Sequence, residues 1–378
     1  VNCCRNSQKK IRIMKKITLK TVILSLLLLV FGSGLVLFNA ISSRADSASP
    51  SAGKPNKIQL QHYVIDTMST SAELTIYGTQ EEGKLALKLV KKSFNRLNAI
   101  ANRFDDQSEL GRLNQSGGEW FTPSRTLMEL LEFSVAAGEI SGGCFDVTVS
   151  PLLELWGFYR RTPQRLPTPE ELNSTREKCG FDKIVFSPER RQVRLSNPAL
   201  KIDLGGIAKG YAVDSAVAEL NKNHINCGLL NLSGNLRGLG KMPPDKPYYR
   251  IAIRNPFDRN ATCGELKITR EAVASSGNYE RYRIIDGKYY THIIDPRNGI
   301  PVENMLSVTV VAQDAMTADF LSTAIFVGGE LLAEKIVSAN PEIGIIIYRS
   351  FPGTPNVAWG QQFGTLPPGS NFQAEIRR

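Results

Sequence analysis

Four stretches of this 378-residue chain concentrate glycine and polar side chains inside apolar surroundings. In Lys201–Asp214 (KIDLGGIAKGYAVD) an apolar run delivers Asp203 to the pair Gly205-Gly206, and a helical pattern follows. A bend of this kind exposes backbone amides at the positive end of a helix, which suits an anion such as phosphate. The same bend can instead turn a carbonyl toward a cation. Lys209, in the first helical turn, reaches the same phosphate. The run has neither the glycine order of a dinucleotide-binding fold nor the lysine of a P-loop. In Asp319-Phe-Leu-Ser-Thr323 the carboxylate and hydroxyl stand at i and i+4, on one face of a helix. Together they can hold one hard cation, with phosphate oxygens and water completing its shell. Such sparse, oxygen-only ligation is of the Mg²⁺ type.

The third stretch is His292-Ile-Ile-Asp-Pro-Arg-Asn-Gly-Ile-Pro301. It contains one of only three histidines in the chain, the others being His62 and His224. A histidine beside an acid and a Pro/Gly turn can serve as a general base, and Asp295 is a second candidate for that role. The fourth stretch runs from Gly142 to Gly157 and carries Asp146 and Thr148, then Pro151 and Trp156, a set able to wall an aromatic ligand. Each stretch alone also has a purely structural reading: a capped turn, a strand-end histidine, a helix acid with a packed threonine, or a core segment. The glycines of Gly234–Gly240 read as a strand-to-loop transition.

The elements that must position these groups are legible in outline. Residues 72–78 alternate as a strand. Residues 81–104 form an amphipathic helix with Val90, Phe94, Leu97, Ala101 and Phe104 on one stripe. A helix from Ser124 to about Ala137 ends at Gly142-Gly143, and a short helix is expected over 169–178. Residues 183–187 and 192–196 form a hairpin, Leu200–Asp203 a strand, and a helix runs on to about Asn223. Strands follow at 227–232, 248–254, 265–270 and 272–276. Asp286-Gly287 between 281–285 and 288–294 is a type I′ hairpin signal. A strand at 306–311, helices at 315–327 and 330–339 and a final strand at 343–349 complete the pattern. The Pro/Gly-rich tail beyond Phe351 reads as irregular. Hairpins mixed with helices indicate an α+β fold, not a doubly wound parallel sheet.

The chain carries a net charge of +10, which invites a nucleic-acid reading until the charges are located. Residues 1–45 hold eight basic residues and no acid, so the remainder carries 38 basic against 36 acidic residues. A balance of +2 argues against nucleic acid as a partner. The basic leader, with Lys15, Lys16 and Lys20, precedes an apolar run from Val22 to Ile41. About 20 such residues span a bilayer, and basic residues before them favour an N-in orientation. Residues 1–45 are therefore expected to be a membrane anchor, or a signal peptide cut after Ala45. No cysteine follows the run, which argues against a lipid anchor. Residues 46–57 read as a flexible linker and 58–378 as the catalytic domain, on the extracytoplasmic side. Cys144, Cys179, Cys227 and Cys263 show no metal spacing; disulfides and buried thiols remain equally open.

Taken together, DVTVSPLLELWGF, DLGGIAKGYAVD, SSGNYERY, HIIDPRNGIP and the Asp319…Thr323 helix stand in an order that resembles the ApbE family of FAD:protein FMN transferases. The resemblance covers roughly Thr67 to Gly329. It implies an ApbE-like fold of mixed sheets and packed helices, with FAD in a cleft and Mg²⁺ near its pyrophosphate. Carried residue by residue, it implies FAD contacts from Asp203, Lys209, Ile294, Cys144, Phe145 and Asp146, and from Met68 and Phe104 on looser matches. Gly206, Asp319 and Thr323 would hold the metal, and His292 would assist phosphoryl transfer. Asn298 departs from the family pattern, which usually has Thr there. The implied activity is transfer of FMN to a Thr or Ser hydroxyl of an acceptor protein, such as a membrane redox subunit. An FAD pyrophosphatase using water, and a non-catalytic flavin carrier, are the alternatives.

Overall fold

The computed structural model describes residues 57–159 and 165–378. The expected anchor and almost all of the linker therefore lie outside the described residues. Among the described residues, no helix is long and apolar enough to cross a membrane.

The chain opens with a hairpin, β1 (Gln59–Thr67) and β2 (Thr70–Gly78). Thr79 then starts α1 (Gln80–Ala101): its side chain accepts from the Glu82 amide while the Glu82 carboxylate accepts from the Thr79 amide. This reciprocal cap fixes where the helix starts. Its inward stripe is Gly83, Ala86, Val90, Phe94 and Leu97. The helix stops at Asn102, so Phe104 falls outside the stripe and is 67% exposed, contrary to the sequence pattern. Next come α2 (Glu109–Asn114), α3 (Arg125–Ser141), α4 (Ser150–Leu155) and α5 (Pro169–Arg176). The hairpin β3 (Ile184–Phe186) and β4 (Val193–Leu195) leads to α6 (Ala208–Lys222). Then follow β5 (Gly228–Leu232), β6 (Asn235–Gly238), β7 (Tyr249–Arg254), β8 (Thr262–Ile268) and β9 (Ala272–Gly277). The hairpin β10 (Tyr282–Ile285) and β11 (Lys288–Thr291) precedes the short pair β12 (Ile294–Asp295) and β13 (Ile300–Pro301). Last come β14 (Met305–Ala312), α7 (Ala315–Ala339), β15 (Gly344–Phe351), β16 (Thr354–Gly364), β17 (Asn371–Phe372) and β18 (Glu375–Arg377).

Nine strands form one sheet in the order β1-β2-β5-β6-β9-β14-β15-β16-β18. Every pairing in it is antiparallel, as the α+β expectation requires. Strand β14 is buried along its whole length because both faces of the sheet are covered. On β15, Ile345 and Ile347 join the core that includes α1, α6 and α7, while Ile346 and Tyr348 join a second core with Ile253, Leu266 and Ile268 of β7 and β8. Alternation along a strand thus feeds two separate apolar cores.

Three expectations need correction. Leu200–Asp203 pairs with no strand; the Asn114 side chain brackets Ile202 instead, accepting from its amide at 2.8 Å and donating to its carbonyl at 2.9 Å. The tail beyond Phe351 is not irregular, because Thr354–Gly364 extends the main sheet. Asn235–Gly238 is a sheet strand, not a loop transition. The 315–339 segment bends at Gly329 (φ 64°, ψ −156°), which accounts for the two helical patterns in the sequence. All four described cysteines are free thiols.

Candidate active site

The site starts from a contact between two helices. A Cβ on Gly210 would lie 2.3 Å from the Ala315 carbonyl oxygen, so only glycine lets α6 approach the start of α7 this closely. The approach aims the Gly210 amide at Asp319, which accepts through Oδ2 at 3.0 Å. From the preceding residue, Lys209 Nζ stands 3.4 Å from Asp319 Oδ1 and 3.3 Å from the Gly205 carbonyl. Asn235 of β6 completes the group. In the amide orientation that satisfies both neighbours, it donates to Asp319 Oδ1 at 3.0 Å and accepts from Lys209 at 3.2 Å. Asp319 and Asn235 are buried, so these bonds act where water competes little.

The two helices are also tied by Asp214. From α6 its carboxylate accepts from the Ala315 and Met316 amides at 2.9 Å each and from Arg237 Nη1 at 2.6 Å. Burial, only partly countered by Arg237, pushes its pKa up to about 6, and the neighbouring Asp314 adds to the rise. Asp314 caps α7 in the ordinary way, accepting from the Thr317 amide.

Thr323, one turn beyond Asp319, stands 3.4 Å from Ser276 Oγ. Gly206 lies opposite. A Cβ there would come within 2.8 Å of the Phe145 ring and 3.8 Å of Thr323 Oγ1. Asp203 accepts from the Gly205 amide at 2.7 Å and from the Tyr159 hydroxyl, which folds the glycine bend around it.

These groups line one cavity of 520 Å³. Met68, Phe104, Cys144, Phe145, Asp146, Asp203, Gly206, Lys209, His292, Ile294, Asp319 and Thr323 all border it. Asp295 does not: its carboxylate is held by Arg297 through Nε at 2.8 Å and Nη2 at 2.7 Å. The Asp146 carboxylate is likewise committed to structure, accepting from Thr148 N and Oγ1 and from the Phe181 amide. Met68 sits with Ser69 in the β1–β2 turn, both at positive φ, a strained choice for residues other than glycine or asparagine.

His292 is placed for proton transfer. Its Nδ1 lies 3.0 Å from the Arg281 carbonyl, which can only accept, so the neutral ring carries its proton there and leaves Nε2 with a free lone pair. Burial lowers its pKa to about 4, and the positive charges of Arg281 and Lys209 add to the effect.

The sequence missed Asn235, Ser276, Tyr159 and Arg281. An asparagine directly after Gly234 was the one available signal for Asn235. Arg103 was missed as well; it lines the cavity with its guanidinium 4.0 Å from the Tyr159 ring centroid.

The donor set fits a hard cation. Asp319, Thr323 and the Gly206 backbone offer only oxygen, and among the described residues no cluster of three or more His, Cys, Asp or Glu could hold a metal alone. Any cation here needs further oxygens, from substrate or water, to complete its shell.

Comparison with known proteins agrees with this architecture. The chain is 33% identical over 288 residues to the FAD:protein FMN transferase of Haemophilus influenzae, covering 74% of this chain and 82% of that one. It is 32% identical over 310 residues to the Vibrio cholerae enzyme of the same name, covering 80% and 91%. The flavin transferase ApbE structure from Vibrio cholerae superposes with a TM-score of 0.72 at 28% identity, over 82% of this chain and 98% of that chain. The Thermotoga maritima ApbE protein gives 0.70 at 30% identity, over 76% and 94%. The ApbE family model matches residues 68–347, which include both tied helices, the glycine bend and the histidine, and on that ground the chain belongs to the ApbE family.

Proposed function

We propose that this protein uses the cavity to transfer the FMN half of FAD onto a Thr or Ser hydroxyl of an acceptor protein, releasing AMP. The chain is a flavin transferase by its relatives' names and structures. The observation that carries the chemistry is the convergence of Lys209, Asp319, Thr323 and His292 on one wall-to-wall cavity. The substrate's pyrophosphate brings negative charge, which Lys209 can meet. Asp319, Thr323 and the Gly206 carbonyl would hold Mg²⁺. Bound there, the ion would neutralise charge on the pyrophosphate.

The acceptor hydroxyl attacks the FMN phosphorus. A new P–O bond forms, the bond to the AMP phosphate oxygen breaks, and AMP departs with that electron pair. The hydroxyl proton passes to His292 Nε2. We assign the base role to His292 and not to Asp295, because Arg297 occupies the Asp295 carboxylate. Gly205, Gly206 and Lys209 fix the phosphate end, while Phe145 and Ile294 offer apolar walls to the flavin.

We also propose that the N-terminal apolar run anchors the catalytic unit at the extracytoplasmic face of a membrane. The basic residues before it support that orientation.

The test is incubation with FAD, Mg²⁺ and a Thr-containing acceptor, followed by intact mass. A covalent increment equal to FMN, with stoichiometric AMP, is the expected product. Free FMN with no labelled acceptor would instead identify a pyrophosphatase.

A further inference from the structure

Strands β10 and β11 pair only with each other among the described residues, and their two faces differ in character. On the inner face Ile285 and Tyr290 pack with Leu152, Trp156, Cys179 and Ile294, with the Tyr290 and Trp156 rings 5.2 Å apart. The outer face carries Tyr282, Ile284 and Tyr289. Ile284 stands directly opposite Tyr289, and the Tyr282 and Tyr289 rings are 5.2 Å apart. These three are 45%, 42% and 65% exposed. None of them lines the FAD cavity, yet Glu280 and Arg281 just before β10 and His292 just after β11 all do. Tyr289 precedes His292 by three residues, about 10 Å along an extended strand.

We infer that this outer face is the docking surface for the acceptor polypeptide, which lays apolar side chains flanking its Thr or Ser against Tyr282, Ile284 and Tyr289. The inference rests on the transferase reading. A protein substrate needs a surface outside the nucleotide cavity that runs into the base, and the hairpin is continuous with His292. A rigid aromatic cluster rimmed by polar groups is the usual form of an interaction anchor. The packed inner face holds the hairpin at a fixed angle, so a segment seated on it has its hydroxyl set relative to Nε2. Because the anchors are apolar, the partner they fit is a segment with apolar residues around its hydroxyl.

The test compares wild type with Tyr282→Ser/Tyr289→Ser and, as a control, Trp359→Ser, an exposed aromatic that does not border the cavity. The probe is a pooled library of short synthetic peptides, each with a single threonine, incubated with FAD and Mg²⁺ and read by covalent FMN mass. For the peptide that wild type labels best, the double variant should raise KM at least ~10-fold. FAD affinity by flavin fluorescence should stay within about twofold, and the control should match wild type. An unchanged peptide KM overturns the inference. So does a parallel loss of FAD affinity, which would place the patch in the nucleotide site. A wild-type dimer that the double variant splits, with labelling intact, would assign the patch to a second copy and overturn it too. If wild type turns FAD into free FMN and labels no peptide, the transferase reading fails and this inference falls with it.

Discussion

Replacing Asp214 with alanine should damage the site from outside it. The carboxylate serves three donors: the Ala315 and Met316 amides at 2.9 Å and Arg237 at 2.6 Å. Alanine leaves both amides and a half-buried guanidinium without that acceptor. Each orphaned donor costs about 1–3 kcal/mol, and breaking a buried pair about 3–5 kcal/mol. Part of this is returned, because a carboxyl whose pKa is pushed up to about 6 was itself unfavourable to bury in ionised form. A net loss of about 3 kcal/mol is the working figure. At about 2 °C per kcal/mol for a large domain, Tm should fall by about 6 °C. The start of α7 then loosens, and Asp319 lies one turn along it. Turnover of FAD at saturating substrate should drop at least ~10-fold, equivalent to about 1.4 kcal/mol of lost transition-state stabilisation. Asp314→Ala removes an ordinary cap and should cost only about 1 kcal/mol. Melting by circular dichroism and AMP release by chromatography measure both effects. If Asp214→Ala melted within about 1 °C of wild type, or lost less than Asp314→Ala in both assays, the tie between the helices would not be what holds the site.

Further outcomes follow from the same geometry. Asp319→Ala should reduce Mg²⁺-dependent FAD turnover by at least ~100-fold and abolish the response to added Mg²⁺, measured as AMP release across a magnesium titration. The acid limb of kcat/KM should lie near pH 4, not near 6.5, because the half-buried, desolvated His292 stays neutral over that range; a limb near 6.5 would remove it as the base. The same lowered pKa means the unfolded chain binds the proton more readily between pH 6.5 and 4, so stability should fall on acidification through that window. His292→Gln should flatten that fall in a melting series. Gly210→Ala should destabilise the fold by about 1–3 kcal/mol and impair turnover together, since the added methyl meets the Ala315 carbonyl.

The chemistry was more legible in the sequence than parts of the frame. Residues such as Asp203, Lys209, His292 and Asp319 interrupt apolar patterns, and those interruptions mark a cavity wall. Asp286-Gly287 announced its hairpin because both residues take positive φ. By contrast β1 is an edge strand with Leu60 and Val64 on its outward face and Gln61 on its inward face, so its alternating burial does not show as apolar–polar alternation. The stripe of α1 extended too far because Asn102 ends the helix without breaking the spacing that reaches Phe104. Leu200–Asp203 looks like a strand, but Ile202 is bracketed by a side chain 88 residues away and the Asp203 amide donates to the Val147 carbonyl, which no local pattern encodes. Asn235 and Ser276 stand in marked stretches, after Gly234 and within SSGNYERY, but only the sheet brings them to the helices.

The Asp214 tie has an evolutionary consequence. Lys209 and Asp319 are 110 positions apart, yet their spacing is set by one carboxylate and one glycine at a helix junction. Of the intervening chain, β6 is also committed to that junction through Asn235 and Arg237, whereas the aromatic hairpin makes no contact with it among the described residues and can drift in length and composition. A lineage can therefore change its clients while its phosphate machinery stays fixed.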